Sequence, residues 1–242
     1  MSRAKGAAPP GSKQCLGLTP QLCDNGGKWQ SGNACPNACL AGDCTDCSPG
    51  TQQCVNNTPA TCQSDGKWSM DTACDSLEQC WNGQLCVAKL VAVTGGYSID
   101  ATEVTASQYQ AWMATSPSAT SLPAYCSAWK SGFSAGSGAG NYPVETVDWC
   151  DCYGYCLNVG KRLCGKIGGG SVGQTEATTA SVDQWFNACS SGLGNVYPLR
   201  EYVRGSHLQR YRHGDGSGGI PVGMPVFRQW VHRSLRSERQ CL

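Results

Sequence analysis

Residues 8–86 repeat themselves at a spacing of 39. The stretch "APPGSKQCLGLTPQLCDNGGKWQSGNAC" aligns with "CSPGTQQCVNNTPATCQSDGKWSMDTAC", so Cys15, Cys23, Trp29 and Cys35 fall on Cys54, Cys62, Trp68 and Cys74. The first copy adds Cys39 and Cys44, the second Cys80 and Cys86. Cys47 opens the second copy, where the first has Ala8. A module of about 40 residues buries too little apolar surface to fold on hydrophobicity alone. Disulfides supply the missing constraint, each worth about 2–4 kcal/mol. The expectation is two stapled modules, 14–46 and 47–86, after a linker at 1–13. Each Gly-Lys-Trp should close a hairpin, with the Trp covering a disulfide. Six cysteines permit fifteen pairings, and the sequence does not choose among them.

Two other chemistries compete for these thiols. Cys44-x-x-Cys47 has zinc-like spacing. However, no His lies nearby, and the remaining cysteines are spread along the repeat. A redox-active CxxC wants a βαβ setting, which is missing here. Structural disulfides are therefore expected, and with them an oxidising compartment. The opening "MSRAKGAAPPGSK" has no apolar core of a signal peptide. The preferred reading is a secreted or cell-surface protein whose true start lies upstream; the alternative is a chain with reduced thiols. No apolar run approaches the roughly 20 residues of a membrane span. Asn56-Asn57-Thr58 is a glycosylation sequon.

After Cys86 the texture changes. "VAKLVAV" (87–93) reads as a strand of β-branched alternation. Thr105-x-x-Gln108 has capping-box spacing and should start a helix presenting Ala106, Tyr109, Trp112 and Met113 on one face. A Gly/Ser loop follows, then a short strand at "YPV". A second helix is expected with Asp148 as its cap, Trp149, Cys152, Tyr153 and Cys156 as its buried stripe, and Gly160 at its left-handed end. Lys161 and Arg162 would complement its C-terminal dipole. A third helix should start at the Ser181-x-x-Gln184 box and bury Trp185, Phe186 and Cys189. Asp148 and Asp151 read as caps rather than a catalytic pair. "GKIGGGS" reads as a loop, since it lacks the phosphate-loop pattern. With every His in the last 44 residues, no Ser/His/Asp triad is available.

These motifs carry a resemblance. "YSIDATEVTASQY" is similar to "iD..EVT..qY", "YPVETVDWCDCYGYCLNVGKRL" to "PV..VsW.dA..YC...GkRL", and "DQWFNACSSG" with "YP" to "EW.yAaRG" and "YPwG". Residues 87–198 thus resemble part of a formylglycine-generating enzyme (sulfatase-modifying factor) domain. The resemblance implies an α+β fold of the C-type-lectin-like variant. It also implies oxidation of a sulfatase cysteine to formylglycine, at paired cysteines near the domain's C-terminal end. Copper and calcium are the family's metals. No residue here matches those paired cysteines, so no catalytic, cofactor-binding or metal residue is expected. The family's "RLPTEaEW" becomes "RLCGKIGGG…DQW", and Cys164 and Cys189 flanking that insertion would make a sensible disulfide. Cys152 and Cys156 would not bond each other, since Cβ atoms one helical turn apart stand about 6 Å apart.

The end of the chain speaks differently. Eight of ten Arg and all three His fall in 199–242, and the net charge changes from −4 over 1–198 to +5 over 199–242. One permissible coding of "LRSERQCL", begun one nucleotide later, reads Cys-Asp-Leu-Ser-Gly-Asn-Val, a family motif. The same shift after Tyr197-Pro198 restores "YPYGNTY". Residues 199–242 are therefore expected to be an out-of-frame tail; the alternative is a true basic tail for nucleic acid or membrane. The reading that results is a binding or structural protein with an incomplete, catalytically silent domain and an extracellular ligand. No nucleic-acid partner is expected. The alternative is a formylglycine-generating oxidase, if the intact parent restores the cysteine pair.

Overall fold

The computed structural model describes residues 8–190 and 192, and the chain divides into two compact units between Cys86 and Val87. The expected out-of-frame tail lies outside the described residues, as do residues 1–7.

The first unit is the repeat made visible. β1 (Lys13–Leu16), β2 (Thr19–Cys23) and β3 (Trp29–Ser31) form an antiparallel sheet, followed by a hairpin of β4 (Ala38–Leu40) and β5 (Asp43–Thr45). The second module repeats this with β6 (Gln52–Val55), β7 (Thr58–Cys62) and β8 (Trp68–Met70), then a hairpin of β9 (Glu78–Trp81) and β10 (Leu85–Ala88). Gly-Lys-Trp closes a hairpin in each, placing Trp29 across from Cys23 and Trp68 across from Cys62. Backbone hydrogen bonds recur at the same spacing. The Gly11 N–H donates to Cys23 O as Gly50 does to Cys62 O, and the Cys35 N–H to Leu18 O as Cys74 does to Asn57 O. Gly42 and Gly83 turn the second hairpins with φ near +86° and +71°. A Cβ there would come within 2.5 Å of Lys13 and 2.2 Å of Gln53, so only glycine lets the hairpin reach the sheet.

The second unit is α+β. β11 (Leu90–Val93) and β12 (Tyr97–Asp100) form a hairpin; α1 (Ala106–Ala114), α2 (Ala124–Ser127), α3 (Trp149–Asn158) and α4 (Gln184–Cys189) follow. α1 starts at the Thr105–Gln108 capping box and buries Ala106, Gln108, Tyr109 and Trp112. Trp112 meets Tyr109, Phe133 and Tyr155 at ring centroids 4.8–5.4 Å apart. Such pairs add about 0.5–1.5 kcal/mol each beyond burial. α3 contributes Gly154, where a Cβ would stand 2.2 Å from the Phe133 ring; its absence admits that ring.

Four expectations of detail are corrected. The strand at 87–93 breaks at Lys89: Val87 and Ala88 belong to β10, and Leu90 begins β11. The expected strand at "YPV" is replaced by isolated bridges, Thr105–Pro143 and Ser137–Glu145. α3 is capped by Asp148 and is followed by the left-handed Gly160 as expected, but it buries Cys150, Asp151, Gly154, Tyr155 and Cys156, leaving Trp149 38% exposed. A disulfide at Cys150 and hydrogen bonds to Asp151 rotate the helix away from its purely apolar stripe. α4 is capped by Asp183, whose carboxylate accepts from the Trp185 and Phe186 N–H groups, in place of a Ser181 box; Gln184 and Asn187 are its buried residues.

Candidate functional site

The cysteines divide the chemistry of this chain. In the first module Cys15 bonds Cys39 and Cys35 bonds Cys44; in the second, Cys54 bonds Cys80 and Cys74 bonds Cys86. The connectivity is the same in both copies. Cys47 bonds Cys62, so Cys44 and Cys47 belong to different disulfides and do not act as a CxxC pair. Cys23 is the exception. Its thiol is buried and lies 3.2 Å from the Ala8 carbonyl oxygen. Ala8 holds the place that Cys47 holds in the second module, so no sulfur meets it. Gly42 and Gly83 N–H groups point at Cys15 and Cys54 sulfur at 3.2 and 3.3 Å.

In the second unit the expected Cys164–Cys189 disulfide is absent. Cys164 sits with Ile99 against Tyr97, Trp185 and Ala188 and forms no bond with Cys189. Burial, with the charge of Asp183, pushes the Cys189 thiol up to about 12, and it stays protonated at neutral pH. The Tyr97 hydroxyl donates to the Gln184 carbonyl and lies 3.1 Å from Asn187 Oδ1, tying β12 to α4. A disulfide that the sequence did not signal, Cys126–Cys150, joins α2 to the first turn of α3. Only the four-residue α2 positions Cys126, and a helix that short leaves no periodicity to read.

Two lysines are drawn into the fold. Lys161, expected at the dipole of α3, turns inward instead: its ammonium donates to Asp100 and, at 2.6 Å, to the Ala88 carbonyl. Both side chains are almost wholly buried. Burial raises the Asp100 pKa to about 6, offset only in part by Lys161, and Asp100 Oδ2 has no hydrogen-bond partner. Lys130 lies between Asp148 and Asp151, at 2.5 and 2.7 Å. Burial works against its charge, yet the two carboxylates outweigh that and lift its pKa above the usual lysine value. Asp151 also accepts from the Ser134 and Asp148 N–H groups, which makes it a positioning carboxylate. Lys166 in the glycine-rich loop pairs with Glu176 at 2.8 Å, a structural use of that lysine.

Above this network is an aromatic surface. Trp149 stacks on Tyr153 with centroids 5.1 Å apart and planes 22° apart, and Tyr125 lies 5.2 Å from Trp149 at 48°. Tyr125 is 56% exposed. Both exposed rings neighbour a disulfide half, Tyr125 beside Cys126 and Trp149 beside Cys150. Among the described residues, no group of three or more His, Cys, Asp or Glu side chains gathers to hold a metal.

A Cys-stapled repeat unit leading into an α+β unit with a capped, disulfide-pinned helix defines a modular protein carrying a sulfatase-modifying-factor type of domain. The model of the sulfatase-modifying factor enzyme 1-like domain matches residues 51–219, well over half of the chain, and the chain belongs to that family. The match begins inside the second Cys-rich module and runs past Pro198. No curated protein and no solved structure matches the chain.

Proposed function

We propose that this is a secreted or cell-surface protein whose sulfatase-modifying-factor-like domain, of the C-type-lectin-like variety, serves binding or surface architecture and forms no formylglycine. The observation that carries this reading is the state of the sulfur. Five disulfides lock the repeats, a sixth locks α2 to α3, and the Cys189 thiol is desolvated to a pKa of about 12. Oxidation of a peptide cysteine needs a reactive thiolate at working pH. The family's paired cysteines have no match in this sequence, and the Cys189 thiol is held in the unreactive form. The disulfides among the described residues fit folding in an oxidising compartment. No helix among the described residues is long and apolar enough to cross a membrane.

The competing reading is a formylglycine-generating oxidase acting on a sulfatase cysteine, and the family match through residue 219 favours it. The test is direct. The full chain, folded under oxidising conditions, is incubated with a sulfatase-derived cysteine peptide, with and without added copper, and aldehyde is captured with a hydrazide. The expected result is no aldehyde above the peptide-alone background. Aldehyde that appears in proportion to protein overturns the reading.

A further inference from the structure

We propose that Asn25 is a site of spontaneous covalent modification: its side-chain amide is lost as ammonia, and the chain there becomes an aspartyl or isoaspartyl linkage. This holds whatever the second unit binds. The reaction needs no enzyme and no oxidant, only water. The Gly26 backbone nitrogen attacks Asn25 Cγ and a C–N bond forms. Nδ2 leaves as ammonia, carrying the proton that the Gly26 N–H gives up. Water then opens the five-membered imide at one of its two carbonyls. Opening at Cγ gives an aspartyl residue. Opening at the main-chain carbonyl gives an isoaspartyl residue, whose main chain runs through Cγ. An asparagine before glycine favours this path, because no Cβ shields the attacking nitrogen.

The sequence has two Asn-Gly pairs, Asn25-Gly26 and Asn82-Gly83, and the fold treats them oppositely. Asn25 and Gly26 lie exposed in the turn between β2 and β3, and neither takes a left-handed φ. The Gly26 N–H donates to Asp24 Oδ1 at 2.8 Å, so a proton acceptor touches the nitrogen that must lose its proton. The turn hangs from Cys23, which makes no disulfide, whereas its counterpart Cys62 is bonded to Cys47. Local opening, which lets the Gly26 nitrogen swing onto the side chain, therefore costs less here than in the second module. Asn82 is the contrast. It stands in the tight turn of the β9–β10 hairpin at a φ of 49°, followed by Gly83 at 71°. Gly83 is buried, its N–H points at Cys54 Sγ at 3.3 Å, and an added Cβ would stand 2.2 Å from the Gln53 nitrogen. The Cys54–Cys80 and Cys74–Cys86 bonds hold the strands on either side. The rotation that would carry the Gly83 nitrogen to Asn82 Cγ is blocked by that packing.

The consequence falls on the first module. Asp24 fixes the β2–β3 turn by accepting from the Gly26 and Lys28 N–H groups and from Gln30 Nε2, at 2.8, 2.9 and 2.8 Å. An isoaspartyl linkage lengthens the main chain inside that span, and either product sets a second carboxylate beside Asp24. Both loosen the turn.

The experiment uses the full chain with its disulfides closed, held at neutral and at mildly alkaline pH. Each Asn-Gly peptide is followed by mass spectrometry, with fragmentation that separates aspartyl from isoaspartyl products. Asn25 converts, and faster at the higher pH, since the attacking nitrogen must be deprotonated. Asn82 converts at least about ten-fold more slowly, the ratio that one further hydrogen bond to break would give. The reduced, urea-unfolded chain loses both amides at like rates, which assigns the contrast to the fold. Gly26→Ala, whose new Cβ would meet Asp24 Oδ1 at 3.3 Å, slows Asn25 about ten-fold while the Cys15–Cys39 and Cys35–Cys44 bonds stay closed in the peptide map. The proposal is overturned if Asn25 of the folded chain keeps its amide over the period in which the unfolded chain loses it. It is also overturned if Asn82 keeps pace with Asn25 in the folded chain, or if Gly26→Ala converts as fast as the parent.

Discussion

Changing Ala8 to Cys should close a disulfide that the first module lacks. The partner is already in place. Cys23 lies 3.2 Å from the Ala8 carbonyl oxygen, and its backbone exchanges hydrogen bonds with Gly11 and Ser12 as Cys62 does with Gly50 and Thr51. In the second module the equivalent residues, Cys47 and Cys62, are bonded across a Cα separation of 5.9 Å. The sequence separation of that bond is 15. A loop of that size restricts the unfolded chain by about 3 kcal/mol in the chain-entropy account. That corresponds to roughly a hundred-fold slower exchange of the Gly11 and Cys23 amides, if they open locally. Two assays read it. Maleimide labelling under denaturing conditions counts one thiol fewer in the variant, because the new cysteine consumes Cys23. Hydrogen exchange then reports the gain in protection at those two amides. A variant with one thiol more and unchanged exchange refutes the reasoning, since the two copies would then not be equivalent in space.

Lys161→Met leaves Asp100 buried without its cation and should cost about 3–5 kcal/mol, measured as a shift in the urea midpoint; a change under 1 kcal/mol would contradict the buried-pair account. The Asp100 pKa of about 6 exceeds its unfolded value near 3.8, so the folded state takes up this proton first. Acidifying from pH 7 through 6 toward 4 therefore adds up to about 3 kcal/mol from this group, and raising the pH withdraws it. Asp100→Asn should remove that contribution, seen by comparing the two stability–pH curves over this window; parallel curves would refute it. Expressed in a glycosylating secretory host, the exposed Asn56 at the tip of the β6–β7 hairpin should carry a glycan, and Asn56→Gln should abolish the glycosidase-sensitive mass. Resequencing the gene from the Tyr197 codon should reveal a one-base lesion with "DLSGNVW" running on in the shifted frame; an intact frame with no such continuation removes the out-of-frame account of 199–242.

Local rules of the sequence were legible where the controlling contact is itself local. The capping boxes of α1 and α3 join groups three residues apart, and the left-handed Gly160 follows from its place at a helix end. The hairpins of both modules are set by Gly-Lys-Trp. The outward turn of Trp149 was not legible, because its cause is a bond to Cys126, 24 residues away. Nor was the inward turn of Lys161, whose partner Asp100 lies 61 residues earlier. Periodicity counts apolar residues, and it assigned Asp151 to a cap while missing that the same carboxylate is the most buried charge of α3.

The sequence by itself determined the repeat, the need for disulfides in modules too small for a core, the positions of α1 and α3 and the family motifs. These depend on spacing along the chain and on the chemistry of single residue types. The tertiary structure alone decided which cysteines meet. Fifteen pairings satisfy the same composition, and only the register of the hairpins brings one set within reach. It also decided that Cys23 meets an alanine, that Cys164 packs on a tyrosine and forms no bond with Cys189, and that Trp149 stacks on Tyr153 at the surface. Each is a relation between distant segments, fixed by the close packing of the whole unit and unrecorded in any local stretch of the chain.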